Sequence, residues 1–112
     1  MHAKIAAKVE GGKLLRMELE LTPERVKSIK ITGDFFIHPE DSLVVIEKAL
    51  AMTLPDAEMN VIANNLKDIV ADQGIQMVGV SAEALSATFK EAVKRARETE
   101  IADKPKEEEK PI

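Results

Sequence analysis

The chain has 112 residues, enough for one domain with its own core and too few for a second catalytic lobe. Apolar residues make up 45% and charged ones 32%, a composition that folds with a heavily ionised surface; 16 Lys and Arg against 20 Asp and Glu leave a net charge of −4, which argues against nucleic acid as a partner. With no cysteine, the chain cannot form a disulfide, carry a thiolate nucleophile or ligate an iron–sulfur cluster through sulfur. No apolar run approaches the roughly 18 residues of a membrane span, so no membrane insertion is expected. The segment MHAKIAAKVE places lysines and a glutamate where a secretory signal needs an unbroken apolar stretch, and a cytoplasmic location is the expectation.

Two extended stretches, Lys4 to Glu10 and Lys13 to Leu21, flank Gly11-Gly12, a dipeptide suited to a two-residue hairpin turn. In the second, Leu15, Met17, Leu19 and Leu21 alternate with Arg16, Glu18 and Glu20, the period of a strand with one buried side. Thr22-Pro23-Glu24 punctuates the chain, and Val26 to Thr32 reads as a third strand. Pro39 is suited to a helix start, with Glu40 and Asp41 near its positive end; Leu43, Ile46, Ala49 and Leu50 give that helix an apolar stripe ending around Met52. Asp56 is positioned to cap a second helix carrying Met59, Ile62, Leu66 and Ile69, with Gly74 as its stop. Ile75 to Val80 reads as a connector or a brief strand, and Ser81 caps a third helix bearing Leu85, Phe89, Ala92, Val93 and Ala96. The expectation is an α+β domain over residues 1–101. It has a three-stranded antiparallel meander followed by three helices packed on one face, in two layers. Residues 102–112, charged and with two prolines, offer little to bury and are expected as a disordered tail.

The densest cluster of reactive side chains is ITGDFFIHPED, Ile31 to Asp41. Asp34, His38 and Glu40 are possible metal ligands without a diagnostic spacing, and the same charges suit a turn, a cap and a helix dipole. No GxxxxGK[ST], HExxH or GxSxG motif accompanies them, and with His2 expected at a frayed terminus, His38 is the one candidate catalytic imidazole; an autonomous enzyme is not expected. In Gly11-Gly12-Lys13 a glycine turn could approach a ligand closely while Lys13 offers a compact positive charge to a phosphate, or it could be a plain turn with a solvated lysine. Phe35 and Phe36 are two of only three aromatic residues; one ring suits the core and an exposed one would anchor a partner. Lys90, Lys94, Arg95 and Arg97 interleave with Glu91, Glu98 and Glu100 and read as a solvated, salt-bridged helix face.

GGKLLR, Gly11 to Arg16, followed after one strand by IKITGDFFIHPED, Ile29 to Asp41, resembles the accessory domain of lipoate–protein ligase. More closely it resembles the stand-alone small subunit of archaeal two-component ligases, over about the first 100 residues. The resemblance implies a non-catalytic accessory subunit that forms a heterodimer with a large catalytic subunit. Together they activate lipoate to lipoyl-AMP, with ATP, Mg and lipoate held through the catalytic subunit and none bound by this chain alone. The lipoyl group then passes to a lysine on a carrier domain, such as a 2-oxoacid dehydrogenase acyltransferase or the glycine-cleavage H protein. Gly11, Gly12 and Lys13 become candidates for the edge facing the nucleotide, and Asp34, Phe35, Phe36 and His38 for the surface that meets the partner. The family's fold is also similar to the sulfur scaffolds of iron–sulfur assembly, whose cysteine chemistry this sequence lacks, so a cysteine-free adaptor is the alternative.

Overall fold

The computed structural model describes residues 1–9 and 13–109, with side chains described as far as residue 98. β1 (His2–Lys8), β2 (Leu14–Leu21) and β3 (Val26–Gly33) form an antiparallel sheet in the order β1-β2-β3. The central strand is placed by its alternation: Leu15, Met17, Leu19 and Leu21 are all buried, and a slip of one residue would turn all four to solvent. The register puts Ala3, Ile5 and Ala7 of β1 and Ile29, Ile31 and Gly33 of β3 on the same side. At the β2–β3 connection the Thr22 hydroxyl accepts from the Arg25 N–H at 3.1 Å, and the Thr22 N–H donates to the Arg25 carbonyl at 2.9 Å.

β4 (Phe36–His38) follows β3 directly and pairs antiparallel with β5 (Gln76–Val78), making a second, two-stranded ribbon. The stretch from Ile75 to Val80 therefore holds a brief strand, and its partner at 36–38 is a fourth strand beside the expected three-stranded meander. Three-residue strands are too short to show a period of two, so only the long-range pairing reveals them. α1 (Ser42–Ala51) begins three residues later than expected. Pro39 opens a turn instead, in which the Ser42 N–H donates to the Pro39 carbonyl at 2.9 Å, and Glu40 and Asp41 precede the first helical turn.

α2 (Met59–Gln73) starts after Glu58, with no side-chain cap; Asp56 is not its cap, because its carboxylate pairs with Arg97. Met59, on the first turn, is exposed, whereas Ile62 and Leu66 are buried. Gly74, at φ +63°, ends the helix with a left-handed residue whose N–H returns to the Val70 carbonyl. α3 (Ala82–Glu109) is capped as its sequence suggests: the Ala84 N–H donates to Ser81 Oγ at 3.0 Å. Its packed stripe comprises Leu85, Phe89, Ala92, Val93 and Ala96. The helical backbone continues to Glu109, past the boundary at 102 where a tail is expected, through a Glu- and Lys-rich stretch that includes Pro105; residues 110–112 lie outside the described part.

The fold is α+β, with three helices gathered on one side of the three-stranded sheet. α3 lies on β1 and β2, α1 lies along β3, and α2 packs mainly on α3. β3 is an edge strand, and its exposed side is blunted by α1: Glu47 Oε2 accepts the Ile31 N–H at 2.8 Å. The connection between α1 and α2 is pinned to α3, where Lys90 Nζ donates to the Pro55 carbonyl at 2.9 Å and Arg97 meets Asp56 at 2.7 Å. Two of the four cations expected on a solvated face of α3 are thus structural ties to that connection. A surface pair, Lys67 with Glu83, joins α2 to α3. Among the described residues no helix is long and apolar enough to cross a membrane.

Candidate functional site

Gly33 ends β3 and the chain turns sharply at Asp34, whose N–H donates to the Leu14 carbonyl at 2.9 Å. Beside it the Val9 N–H donates to the Lys13 carbonyl at 2.8 Å. These two bonds place the corner 33–36 next to the β1–β2 connection. Gly79, just after β5, completes the neighbourhood: a methyl built on it would lie 3.4 Å from the Asp34 carbonyl oxygen, 3.4 Å from Phe35 Cβ and 3.5 Å from Lys13 Cγ. Lys13, Asp34 and Phe35, separated by about twenty residues in sequence, therefore share one end of the sheet. Gly11 and Gly12 lie outside the described residues.

The two phenylalanines divide as their positions on the pleat require. Phe35 is half-buried against the core, Phe36 is 66% exposed, and Ile37 between Phe36 and His38 is buried. Phe36 and His38 project from the same face of β4, their rings stacked with centroids 6.5 Å apart and planes 10° from parallel. Across the ribbon Phe36 faces Val78, itself 53% exposed, and His38 faces Gln76. The result is a small exposed patch, apolar at Phe36 and Val78, with Lys13 and Asp34 close by as exposed charges. Val78 and Gly79 carry no signal in the sequence, since their contribution depends on pairing with residues about forty positions earlier.

The cluster does not converge as a metal centre would: among the described residues no group of three His, Asp or Glu side chains is placed to hold one ion. His2 is not frayed. It opens β1, and its Nε2 lies 3.1 Å from Glu18 Oε2. A cleft of about 530 Å³ lies elsewhere, between α1 and α2, with walls that include Ala49, Met52, Leu54, Ile62 and Leu66.

No family model matches the chain. Lipoate-protein ligase A subunit 2 of Thermoplasma acidophilum is 36% identical to it over 73 residues, covering 62% of this chain and 69% of that protein. The chain belongs to the lipoate–protein ligase A subunit 2 family. A solved chain from the structural analysis of an archaeal lipoylation system, a bi-partite lipoate protein ligase and its E2 lipoyl domain from the same organism, agrees in fold. Its TM-score is 0.59 at 30% identity, covering 80% of this chain and 97% of that one. Lys13 and the corner at Asp34 and Phe35, which lie within the segments that carry the resemblance, meet at one end of the sheet. Neither relative favours the cysteine-free adaptor of iron–sulfur assembly.

Proposed function

We propose that this chain is the non-catalytic accessory subunit of a two-component lipoate–protein ligase, required beside a large catalytic subunit for ATP-dependent conversion of lipoate to lipoyl-AMP. Membership of the ligase subunit 2 family carries the reading. The adjacency of Lys13 to the phenylalanine corner supports it, because one docking event could then deliver both.

Adenylation joins the lipoate carboxylate to the α-phosphate of ATP and releases pyrophosphate; negative charge builds at phosphorus, and the mixed anhydride formed is open to attack by water. ATP, Mg and lipoate are assigned to the catalytic subunit. A second subunit closing over such a site helps by excluding solvent, ordering a mobile loop and offering fixed positive charge. In this arrangement Gly11, Gly12 and Lys13 form the edge towards the nucleotide. Phe36 and Val78 supply the apolar anchor, with Asp34, Phe35 and His38 around it. Transfer then modifies a lysine of a lipoyl carrier domain.

The test is lipoyl-adenylate formation by the catalytic subunit, followed with radiolabelled ATP, with and without this chain. Adenylate should accumulate only in the mixture. An equal rate from the catalytic subunit alone removes the accessory role.

A further inference from the structure

The two edges of the three-stranded sheet are finished differently. On β3 the outward Ile31 N–H is taken by Glu47, whereas β1 has no such cover. The hydrogen-bonding phase of β1 is fixed at both ends: the Leu21 N–H donates to the Met1 carbonyl at 2.6 Å, and the Val9 N–H donates to the Lys13 carbonyl at 2.8 Å. Odd-numbered residues therefore bond to β2, and His2, Lys4, Ala6 and Lys8 direct their N–H and carbonyl groups out of the sheet. Among the described residues no hydrogen bond reaches those groups. A bare edge of seven residues is a template for another strand.

The residues of β1 decide which strand fits. Laid antiparallel against itself about a two-fold axis through Ile5, β1 matches along its whole length. His2 stands opposite Lys8 of the second copy and Lys4 opposite Ala6, all through their outward groups, so each pair exchanges two hydrogen bonds. On the core side Ile5 meets Ile5, Ala3 meets Ala7 and Val9 comes beside Met1; the row is apolar throughout, and Ile5, Ala7 and Val9 are only half-buried within one copy. On the open side no lysine directly faces a lysine. Moving the register by two residues sets Lys4 against Lys4 in one direction and Lys4 against Lys8 in the other, so the charges that guard the edge also select one alignment. The helices leave room for it. α3 lies on β1 and β2, and a helix seated midway between two strands would stand roughly 10 Å from its counterpart in the joined copies, the spacing of ordinary helix packing.

We propose that two copies of this chain join edge to edge through β1, making one continuous sheet of six strands in the order β3-β2-β1-β1-β2-β3. The contact is isologous and uses up the free edge of both copies, so it closes at a dimer. It uses neither Lys13 nor the patch at Phe36 and Val78, and it stands whether or not the ligase reading does. An interface one strand wide is small, and the expected Kd is roughly 10–100 μM.

Sedimentation velocity of the full chain, from about 1 to about 300 μM, reads the equilibrium directly. Ala6→Pro removes one outward N–H and leaves the ladder to β2 intact, so Kd should rise at least about tenfold while Tm holds. At low salt Ala6→Glu, set against Lys4 of the second copy, should tighten the dimer about threefold, and Ala6→Lys should loosen it by as much. The chain has no cysteine, so Ile5→Cys places a single thiol on the two-fold axis, where paired Cα atoms about 4.5 Å apart permit a disulfide. Oxidation should link that variant into a covalent dimer, and Lys4→Cys, which faces Ala6, should link far less. A chain that stays monomeric at the highest concentration, a Kd that Ala6→Pro leaves within twofold, or equal cross-linking of the two cysteine variants overturns the proposal. So does a dimer lost with Phe36→Ala, which would give the contact to the β4–β5 patch, or a monomeric chain whose binding to the catalytic subunit is lost with Ala6→Pro, which would give the edge to that partner. Should Ala6→Pro fail to fold by circular dichroism, the opposite effects of Glu and Lys at position 6 and the cysteine pair still decide.

Discussion

Gly33→Ala breaks the junction that brings the candidate residues together, and its effect follows from the local geometry. A methyl group at Gly33 would overlap the Leu14 carbonyl oxygen and stand 2.8 Å from Phe35 Cε2. The first is backbone and cannot rotate away, and it is the acceptor of the Asp34 N–H. Overpacking of this kind costs about 1–3 kcal/mol, and loss of the hydrogen bond adds about 1 kcal/mol. The expected loss is about 2–4 kcal/mol, a fall in Tm of roughly 10–25 °C for a domain of this size. Gly74→Ala is the matched control. At φ +63° it carries the left-handed backbone penalty of about 1 kcal/mol, but a methyl there meets nothing within 4 Å. Thermal melts and urea titrations of the two variants should therefore differ by at least 1 kcal/mol. Equal losses would mean that the turn relaxes freely and that Gly33 does not hold the corner against the hairpin.

Phe36→Ala, at a largely exposed ring, should leave Tm within a degree or two while weakening association with the catalytic subunit about tenfold; unaltered affinity by calorimetry would exclude it as the anchor. Lys13→Ala should lower lipoyl-adenylate formation while association holds, and unchanged turnover at saturating ATP would remove Lys13 from the chemistry. Glu47→Ala strips the acceptor from the Ile31 amide, so stability should fall by about 1–2 kcal/mol and hydrogen exchange at Ile31 should accelerate; retained protection there would show that the edge is held without it. The Arg97 guanidinium, by hydrogen bond and charge, holds the Asp56 carboxyl below its ordinary value of 3.8. Because the folded state has the lower pKa, this pair stabilises the fold above pH 3.8 and its contribution disappears as pH falls through the folded value. Asp56→Asn should flatten that part of the acid unfolding curve, and an identical curve would show that the pair makes no measurable contribution.

The parts of the fold legible in the sequence are those with a repeated period. Four leucines and methionines alternating from Leu15 to Leu21 fix β2, and the stripe from Leu85 to Ala96 fixes the buried side of α3, because every turn repeats the same burial requirement. Gly74 marks its helix end through backbone sterics alone. What escaped is non-local. β4 and β5 are three residues each and exist through pairing between positions about forty apart, and Asp56 reads as a cap only until Arg97, 41 residues on, claims its carboxylate. The site shows the same division. An aromatic pair in an aromatic-poor chain flags Phe35 and Phe36, and the pleat then decides which is exposed, but nothing local announces that Val78 lies opposite Phe36 or that Gly79 touches the Lys13 neighbourhood.

The pinning of Pro55 and Asp56 by Lys90 and Arg97 has a mechanical result. α1 rests against β3 and α2 against α3, and the cleft between the two helices is bridged by a linker anchored to the third. A push on α2 is passed through that anchor to α3, and thence to β1 and β2, so the gap beneath Met52 and Leu54 behaves as a braced arch: releasing Lys90 and Arg97 together should let its two walls shift independently.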